Sequence, residues 1–381
     1  MKILQLCSYF LPHKGGIEYV VYSLSKEFVK LGNEVTVISS LIGTDIKEEI
    51  MNGIKIKRVR AFPILKSPFS FSLFFRLMKE KPDVIHLHHP HPFFLETGIL
   101  YAKVFRIPIV LHCHGMEITM RGLFNIFAQI YNNTLLKIDM AMADRLIMHT
   151  NRLFESSKLA KKYTAKVKVL KCGVDLIRYS GKRKTDLKKE LGFENNKIIL
   201  FVGQLRQYKR VDILIKAFND VIKNMPDVRI IIVGNGDKEN ELKDLAKRLE
   251  MQEKIVFAGF VDDDKKLDYY SIADVFVLPS PNLEEGFGLV ALEAAAMEVP
   301  VIVTEGAGIS EAFKEDNIGI LIEPYSIEAM KNAIIDVLKN KKKARLCAKK
   351  LKDVVDKKYA WDKLAIEYLK LYKEVMPDSK F

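Results

Sequence analysis

The chain has 381 residues, 49% hydrophobic and 29% charged, with a formal net charge of +13. That profile suits a globular protein, long for one core and comfortable for two. It excludes a membrane span, since no apolar run reaches about 18 residues, and a disulfide framework, since Cys7, Cys113, Cys172 and Cys347 are scattered without a CxxC pair.

The first residues enter a strand with no small-residue cleavage site, so no signal peptide and a cytoplasmic location are expected. The charge is uneven: residues 1–175 hold 25 Lys+Arg against 14 Asp+Glu, and the remainder 36 against 34. A basic half suits nucleic acid, an anionic membrane surface or an anionic substrate. Nucleic acid is the weakest reading, because no stacking or groove-reading motif accompanies the charge.

Residues 2–7 form an apolar strand, Gly15-Gly16 opens a helix that closes near Gly32, and residues 34–39 form the next strand. This is a βαβ unit whose glycine pair lets backbone approach a bulky anion at a helix N-terminus. It is not a GxGxxG fingerprint, and a plain strand-to-helix turn is an equal reading. Residues 54–60 are a basic strand, and residues 63–79 an aromatic stretch flanked by Lys and Arg. Part of that stretch should be a helix on the sheet, and the rest an amphipathic face toward lipid. Strands at 83–89 and 109–114 end in histidine clusters, His86 to His91 and His112 with His114. Ligands in parallel α/β sheets sit beyond such strand ends. The two HxH pairs tempt a metal reading, but spacing marks no third and fourth ligand, so no metal is expected. His114, the last strand residue before Gly115, is the candidate nearest the chemistry. Residues 120–142 predict one or two core helices, in part bordering an acceptor. Strands at 145–150 and 167–175 complete the first domain, 1–175, and the polar, basic segment 176–190 reads as a linker.

Strands and helices alternate again through 191–355, which predicts a second doubly wound parallel sheet. The loop after its first strand carries Gln204, Arg206 and Lys209, cations suited to a diphosphate. The acidic run Asp262-Asp263-Asp264 reads as a helix cap. The strand at 275–278 runs into residues 279–293, where Glu285 precedes a helix N-terminus and Glu293 lies about two turns into the helix. Unpaired N–H groups and the dipole there favour phosphate. A phosphate seat between two carboxylates suits a sugar nucleotide.

Together these residues resemble a retaining glycosyltransferase of family four, with the GT-B fold. The E-x7-E pattern appears as Glu285 to Glu293, supported by Gly15-Gly16-Ile17-Glu18, Cys172-Gly173-Val174-Asp175, Val202-Gly203-Gln204-Leu205 with Lys209, and Trp361. The resemblance implies two Rossmann-like domains facing a cleft, with a segment 356–381 whose helix crosses back to the first domain. It implies a UDP- or GDP-linked sugar as co-substrate and no cofactor. Glu293 would take the ribose hydroxyls, and the N–H groups of Leu289 and Val290 the diphosphate. Glu285 with the Phe287-Gly288 backbone would face the sugar. Lys209 would neutralise the leaving diphosphate. Gly16 would touch the phosphates, His114 the transferred sugar, and the base would lie near Phe260. Retention implies same-face attack without a protein nucleophile. Gln204 departs from the family's usual Arg, so Arg206 is the expected substitute. Gly306-Ala307-Gly308-Ile309-Ser310-Glu311 also departs from the usual Gly-Gly-x-x-Glu. The acceptor is expected to be a glycan or a lipid-linked molecule, with peripheral contact to an anionic membrane. The alternatives are a sugar-nucleotide epimerase or a phosphorylase on the same fold.

Overall fold

The structure, a computed structural model, describes residues 1–65, 67–118, 120 and 122–377. Lys66 of the aromatic stretch, and the expected final segment beyond residue 377, lie outside the described residues. The chain divides into two compact units, Met1–Cys172 with the chain from Trp361 onward, and Gly173–Ala360. The first division falls three residues before the expected boundary. The expected linker 176–190 belongs to the second unit. There Tyr179 and Leu187 are buried, and the Tyr179 ring meets that of Tyr270 edge-on at 6.1 Å. Isolated anchors hold a segment that shows no apolar period. The return crossing falls at Ala360 rather than 355, because the helix Lys341–Lys358 continues past it.

The strands of the first unit are β1 (Lys2–Leu6), β2 (Glu34–Ser40), β3 (Glu48–Met51), β4 (Ile54–Val59), β5 (Phe62–Ile64), β6 (Ser67–Phe69), β7 (Val84–His89), β8 (Ile109–Cys113), β9 (Arg145–Met148) and β10 (Val167–Val169). Their main sheet has the order β10-β9-β8-β7-β1-β2-β4-β3 and is parallel except for β3, which runs antiparallel to β4. The central strands are buried on both faces, as near-continuous apolar runs require. The helix Trp361–Val375 packs on the helix Gly16–Lys30, with Phe28 against Tyr372 at 5.5 Å.

The aromatic stretch is divided between the β5–β6 hairpin and the expected helix, here Leu73–Leu77, which buries Leu73 and Leu77 in the core. Residues 120–142 hold the two expected helices, Asn125–Asn133 and Leu135–Met142, which place Tyr131, Leu136 and Met140 in the core. The outer face of the first helix and the 3-10 turn before it leave Leu123, Phe124, Ile126, Phe127 and Ile130 more than half exposed. Among the described residues no helix is long and apolar enough to cross a membrane.

The second unit holds β11 (Lys197–Val202), β12 (Val228–Val233), β13 (Ile255–Gly259), β14 (Val275–Leu278), β15 (Val301–Thr304) and β16 (Ile320–Ile322), in the order β13-β12-β11-β14-β15-β16. All pairs are parallel. The chain builds outward from β11 to β13, then returns to β14 on the other side and builds outward again. Strand order therefore reverses between β11 and β14, the position where doubly wound sheets bind ligands. The helix Val211–Asn224 turns Ile213, Leu214, Ala217, Phe218 and Val221 inward, onto a core of β11, β12 and β14 side chains. The acidic run starts the helix Asp263–Ile272 with Asp262 at the cap position, but no side-chain cap bond forms. Asp263 pairs with Lys266 and Asp264 with Arg178 instead.

Close backbone contacts set the loops at this edge. Gly234, at φ +125, lies so near Gly203 that a Cβ there would run into the Gly203 carbonyl. Both positive φ and steric exclusion demand glycine. Gly234→Ala should destabilise the second unit by about 2 kcal/mol or more, read as a lower denaturation midpoint. An unchanged midpoint would show that the loop tolerates a side chain.

Candidate functional site

The loops that leave β11 and β14 meet through one ion pair. Lys209 Nζ lies 2.7 Å from each carboxylate oxygen of Glu285. Side-chain exposures are 9% and 4%, so both charges are withdrawn from water. Ser280 Oγ donates to Glu285 Oε2 at 2.5 Å and fixes the carboxylate from the other side. Lys209 stands in a short 3-10 turn, Gln207–Lys209, beside Gly203. Sequence spacing singled out both charged residues, but not that they pair, and Ser280 carried no signal.

Gly288 caps the helix Leu289–Ala296 at φ +94, with no room for a side chain between Leu278 and Ile309. The N–H groups of Leu289 and Val290 stand in its first turn, where helices lack internal acceptors. Four of the eight helix residues are alanines, and Ala291, Ala294, Ala295 and Ala296 are completely buried, which brings the helix backbone close to the sheet. Phe287 points inward and meets the Tyr359 ring at 6.4 Å, so only its backbone is available to a ligand. Glu293 is 5% exposed. It accepts from Tyr270 Oη at 2.9 Å, and Lys266 Nζ lies 3.3 Å away. Burial works to lower the Lys266 pKa, but Glu293 and Asp263 beside it outweigh this and raise it. Tyr270 and Lys266 escape the motif reading. Their spacing of four on one helix face was the available signal.

Gly306 and Gly308 explain the variant loop after β15. A Cβ on either would strike backbone, that of Pro281 or of Gly286. The glycines let the two loops lie against each other, and Ser310 Oγ donates to Glu305 O at 2.7 Å. The expected substitute cation, Arg206, stands on the surface beside Gln204 and Asp237. Arg206 Nε donates to Gln204 Oε1 at 3.4 Å, and its Nη1 lies 3.7 Å from Asp237. Gln204, Arg206 and Phe260 are all exposed.

In the first unit Gly15 caps the helix Gly16–Lys30. A Cβ on Gly15 would meet the Glu18 carboxylate, whereas one on Gly16 would meet nothing within 4 Å. His114 does not stand alone. His86, His88, His112, His114 and His149 form one cluster whose rings hydrogen-bond to one another. Spacing showed two HxH pairs. The parallel register sets His88 beside His112, and His149 joins from the end of β9. Burial pushes His86 down to about 3 and His149 to about 4. Burial, then the neighbouring imidazoles, holds His88, His112 and His114 well below the usual range. The cluster is therefore neutral.

Two family models match the chain. Residues 14–178 match Glycosyltransferase Family 4, and residues 182–354 match Glycosyl transferases group 1. An uncharacterised glycosyltransferase of Methanocaldococcus jannaschii is 30% identical over 99% of both chains. The Saccharomyces cerevisiae phosphatidylinositol N-acetylglucosaminyltransferase GPI3 subunit is 25% identical over 99% of this chain and 84% of its own. Among solved structures, the Anabaena protein HepE in complex with UDP-glucose superposes with a TM-score of 0.78 at 19% identity, covering 98% of this chain and all of that one. The GT-B architecture, two Rossmann-like domains, is thereby shared.

A neutral buried cluster makes stability depend on pH. The unfolded imidazoles titrate at about 6.5 and the folded ones lower. Below about 6.5 the unfolded chain therefore binds more protons, and stability falls as pH falls. Asp139, pushed up to about 8 by burial and then by Glu96, and Glu96, raised by burial, act with the opposite sign, two carboxyls against the five imidazoles joined by His89 and His91, which burial lowers to about 4. The unfolding temperature of the first unit should drop steadily from pH 6.5 to about 4, as followed by calorimetry. A flat profile would mean that the imidazoles titrate normally in the fold.

Proposed function

The chain belongs to glycosyltransferase family 4, and on that premise we propose a retaining enzyme that moves a hexose-type sugar from a UDP- or GDP-linked donor to a hydroxyl of a glycan or lipid-linked acceptor. The observation that carries this reading is the Lys209–Glu285 pair at the strand-order reversal, next to a helix N-terminus with Glu293 buried behind it. The Leu289 and Val290 N–H groups and the helix dipole would hold the diphosphate. Lys209 would turn from Glu285 to the leaving phosphate and stabilise the charge that develops there. Ser280 would keep Glu285 in place to face the sugar, with the Phe287-Gly288 backbone beside it. Glu293, oriented by Tyr270 and Lys266, would accept from the ribose hydroxyls. Gln204, Arg206 and Phe260 complete the donor set we assign, with Phe260 toward the base. Backbone dipole and lysine supply the positive charge, so no divalent ion is required at the diphosphate. Same-face attack passes the acceptor proton to the leaving phosphate, and no protein nucleophile is assigned.

In the first unit we assign His114 to the transferred sugar and Gly15-Gly16 to the phosphates. A Cβ at residue 16 would meet nothing within 4 Å, so the first helical turn is open to an approaching ligand. The lipid-linked acceptor draws support from the yeast relative's phosphatidylinositol substrate class, the basic first half and the exposed apolar residues 123–130. An amphipathic face of this kind suits peripheral contact with an anionic membrane on the cytoplasmic side. The epimerase reading gains no support from these relatives.

Isothermal titration across UDP, GDP and their sugars should find one nucleotide that binds. Glu293→Ala should weaken it about tenfold or more, the scale of a lost charge-assisted contact. Lys209→Met should lower kcat by about 10²–10³. Absent binding, or equal binding by Glu293→Ala, would count against the assignment. For the acceptor side, vesicles containing anionic lipid should carry the protein upward in flotation, and neutral vesicles should carry less. No flotation with either would remove the membrane argument.

A further inference from the structure

The histidine cluster has an internal order that the transferase reading does not use. Tyr372 Oη lies 2.6 Å from His86 Nδ1. His86 Nε2 lies 3.2 Å from His112 Nδ1, and His112 Nε2 3.4 Å from His149 Nδ1. His149 Nε2 lies 3.0 Å from His114 Nδ1, and His114 Nε2 2.9 Å from His88 Nδ1. His88 Nε2 ends the chain on Gln5 Oε1 at 2.8 Å. The amide oxygen can only accept, so His88 donates from Nε2 and carries its lone pair on Nδ1. Neutral rings can repeat that choice along the line until the Tyr372 hydroxyl donates to His86; His149 Nδ1 then accepts from His112 and from the Cys172 thiol at 3.0 Å, and gives up a bond to the Leu170 carbonyl 3.3 Å away.

His86, His88 and His112 each place one nitrogen within 4.8 Å of the other two. We propose that these three imidazoles bind a transition-metal dication of the zinc class. His88 and His112 already hold lone pairs on Nδ1, while their outer Nε2–H groups donate to Gln5 Oε1 and His149 Nδ1. Such outer partners orient metal-ligating histidines. His86 needs one change, its proton moving from Nε2 to Nδ1, where the Tyr372 oxygen becomes the acceptor. Its Nε2 then faces His112 Nδ1 at 3.2 Å, near the spacing of two ligands about 2.0–2.1 Å from a tetrahedral ion. His88 Nδ1 exchanges its bond from His114 for the ion, and His114, half-buried, turns its N–H to water. The rings are neutral beforehand and the His86 proton stays on the ring, so binding releases no proton. An all-imidazole donor set favours Zn²⁺, Co²⁺, Ni²⁺ or Cu²⁺ over Mg²⁺ and Ca²⁺. The ion would tie β7 and β8 together, with Gln5 of β1 and Tyr372 of the last helix behind them. A second group, His112, His114 and His149, shares His112, so one ion excludes another there.

The test uses the full chain, stripped with chelator and titrated with Co²⁺ and then Zn²⁺. About one ion per chain should bind with the visible bands of tetrahedral Co²⁺, and Zn²⁺ at about 100 times its Kd should raise the unfolding midpoint. Calorimetry in two buffers of different ionisation enthalpy should agree, as proton-free binding requires. His88→Gln should abolish the bands and the Zn²⁺ shift. Unchanged binding by His88→Gln overturns the site, as does a wild-type chain that shows no bands and no shift. Should the variant fail to fold, X-ray absorption on the wild-type zinc form decides: three imidazole nitrogens support the site and fewer overturn it. None of these outcomes depends on transferase activity.

Discussion

Two buried charges, Lys209 and Glu285, bridge the one gap in the second sheet that its own connections leave open. Between β11 and β14 the chain runs off in opposite directions, so no crossover fills the space above the strand ends. Burying a lysine and a glutamate is costly unless they pair closely and their remaining lone pairs are met. Both carboxylate oxygens reach the ammonium, and Ser280 takes one as well. The Ser280 carbonyl is in turn gripped by the Thr304 hydroxyl at the end of β15. The ion pair thus locks three strand ends.

The glycines of this edge serve the same arrangement. Gly203 with Gly234, Pro281 with Gly306, and Gly286 with Gly308 bring loop backbones together at distances no side chain would permit. Rigid loops keep the first-turn N–H groups of the helix Leu289–Ala296 beside the ion pair. Preorganised donors of that kind stabilise developing charge without reorganising during the reaction. Glu293 is held by a tyrosine and a lysine from a single helix, so its carboxylate has a fixed orientation.

The first unit solves its polar burial differently. Its strand ends carry imidazoles that burial keeps neutral, and neutrality lets each ring both donate and accept. Five rings, a phenol and the Gln5 amide oxygen then bond to one another in a continuous line. Tyr372, the phenol, reaches His86 from 286 positions along the chain. The last helix is thereby fastened to the sheet by polar bonds, and to the helix Gly16–Lys30 by the contacts of Tyr372 with Phe28 and of Trp361 with Tyr19.

Sequence by itself determined what local chemistry writes at short range. Strand and helix alternation, the glycine pair at 15–16, the eight-residue interval from Glu285 to Glu293 and the cation at Lys209 are all properties of neighbouring residues. From them the two doubly wound sheets and the E-x7-E resemblance were legible. Only the tertiary structure decided which distant groups meet: Lys209 with Glu285, Tyr270 with Glu293, His149 and Tyr372 with the two HxH pairs. It also decided burial where periodicity was silent or misleading. Tyr179 and Leu187 anchor a segment with no apolar stripe, while Leu123, Phe124, Ile126, Phe127 and Ile130 stay outside. An amphipathic pattern states that a face is apolar, but whether a partner covers it depends on surfaces assembled from the whole chain.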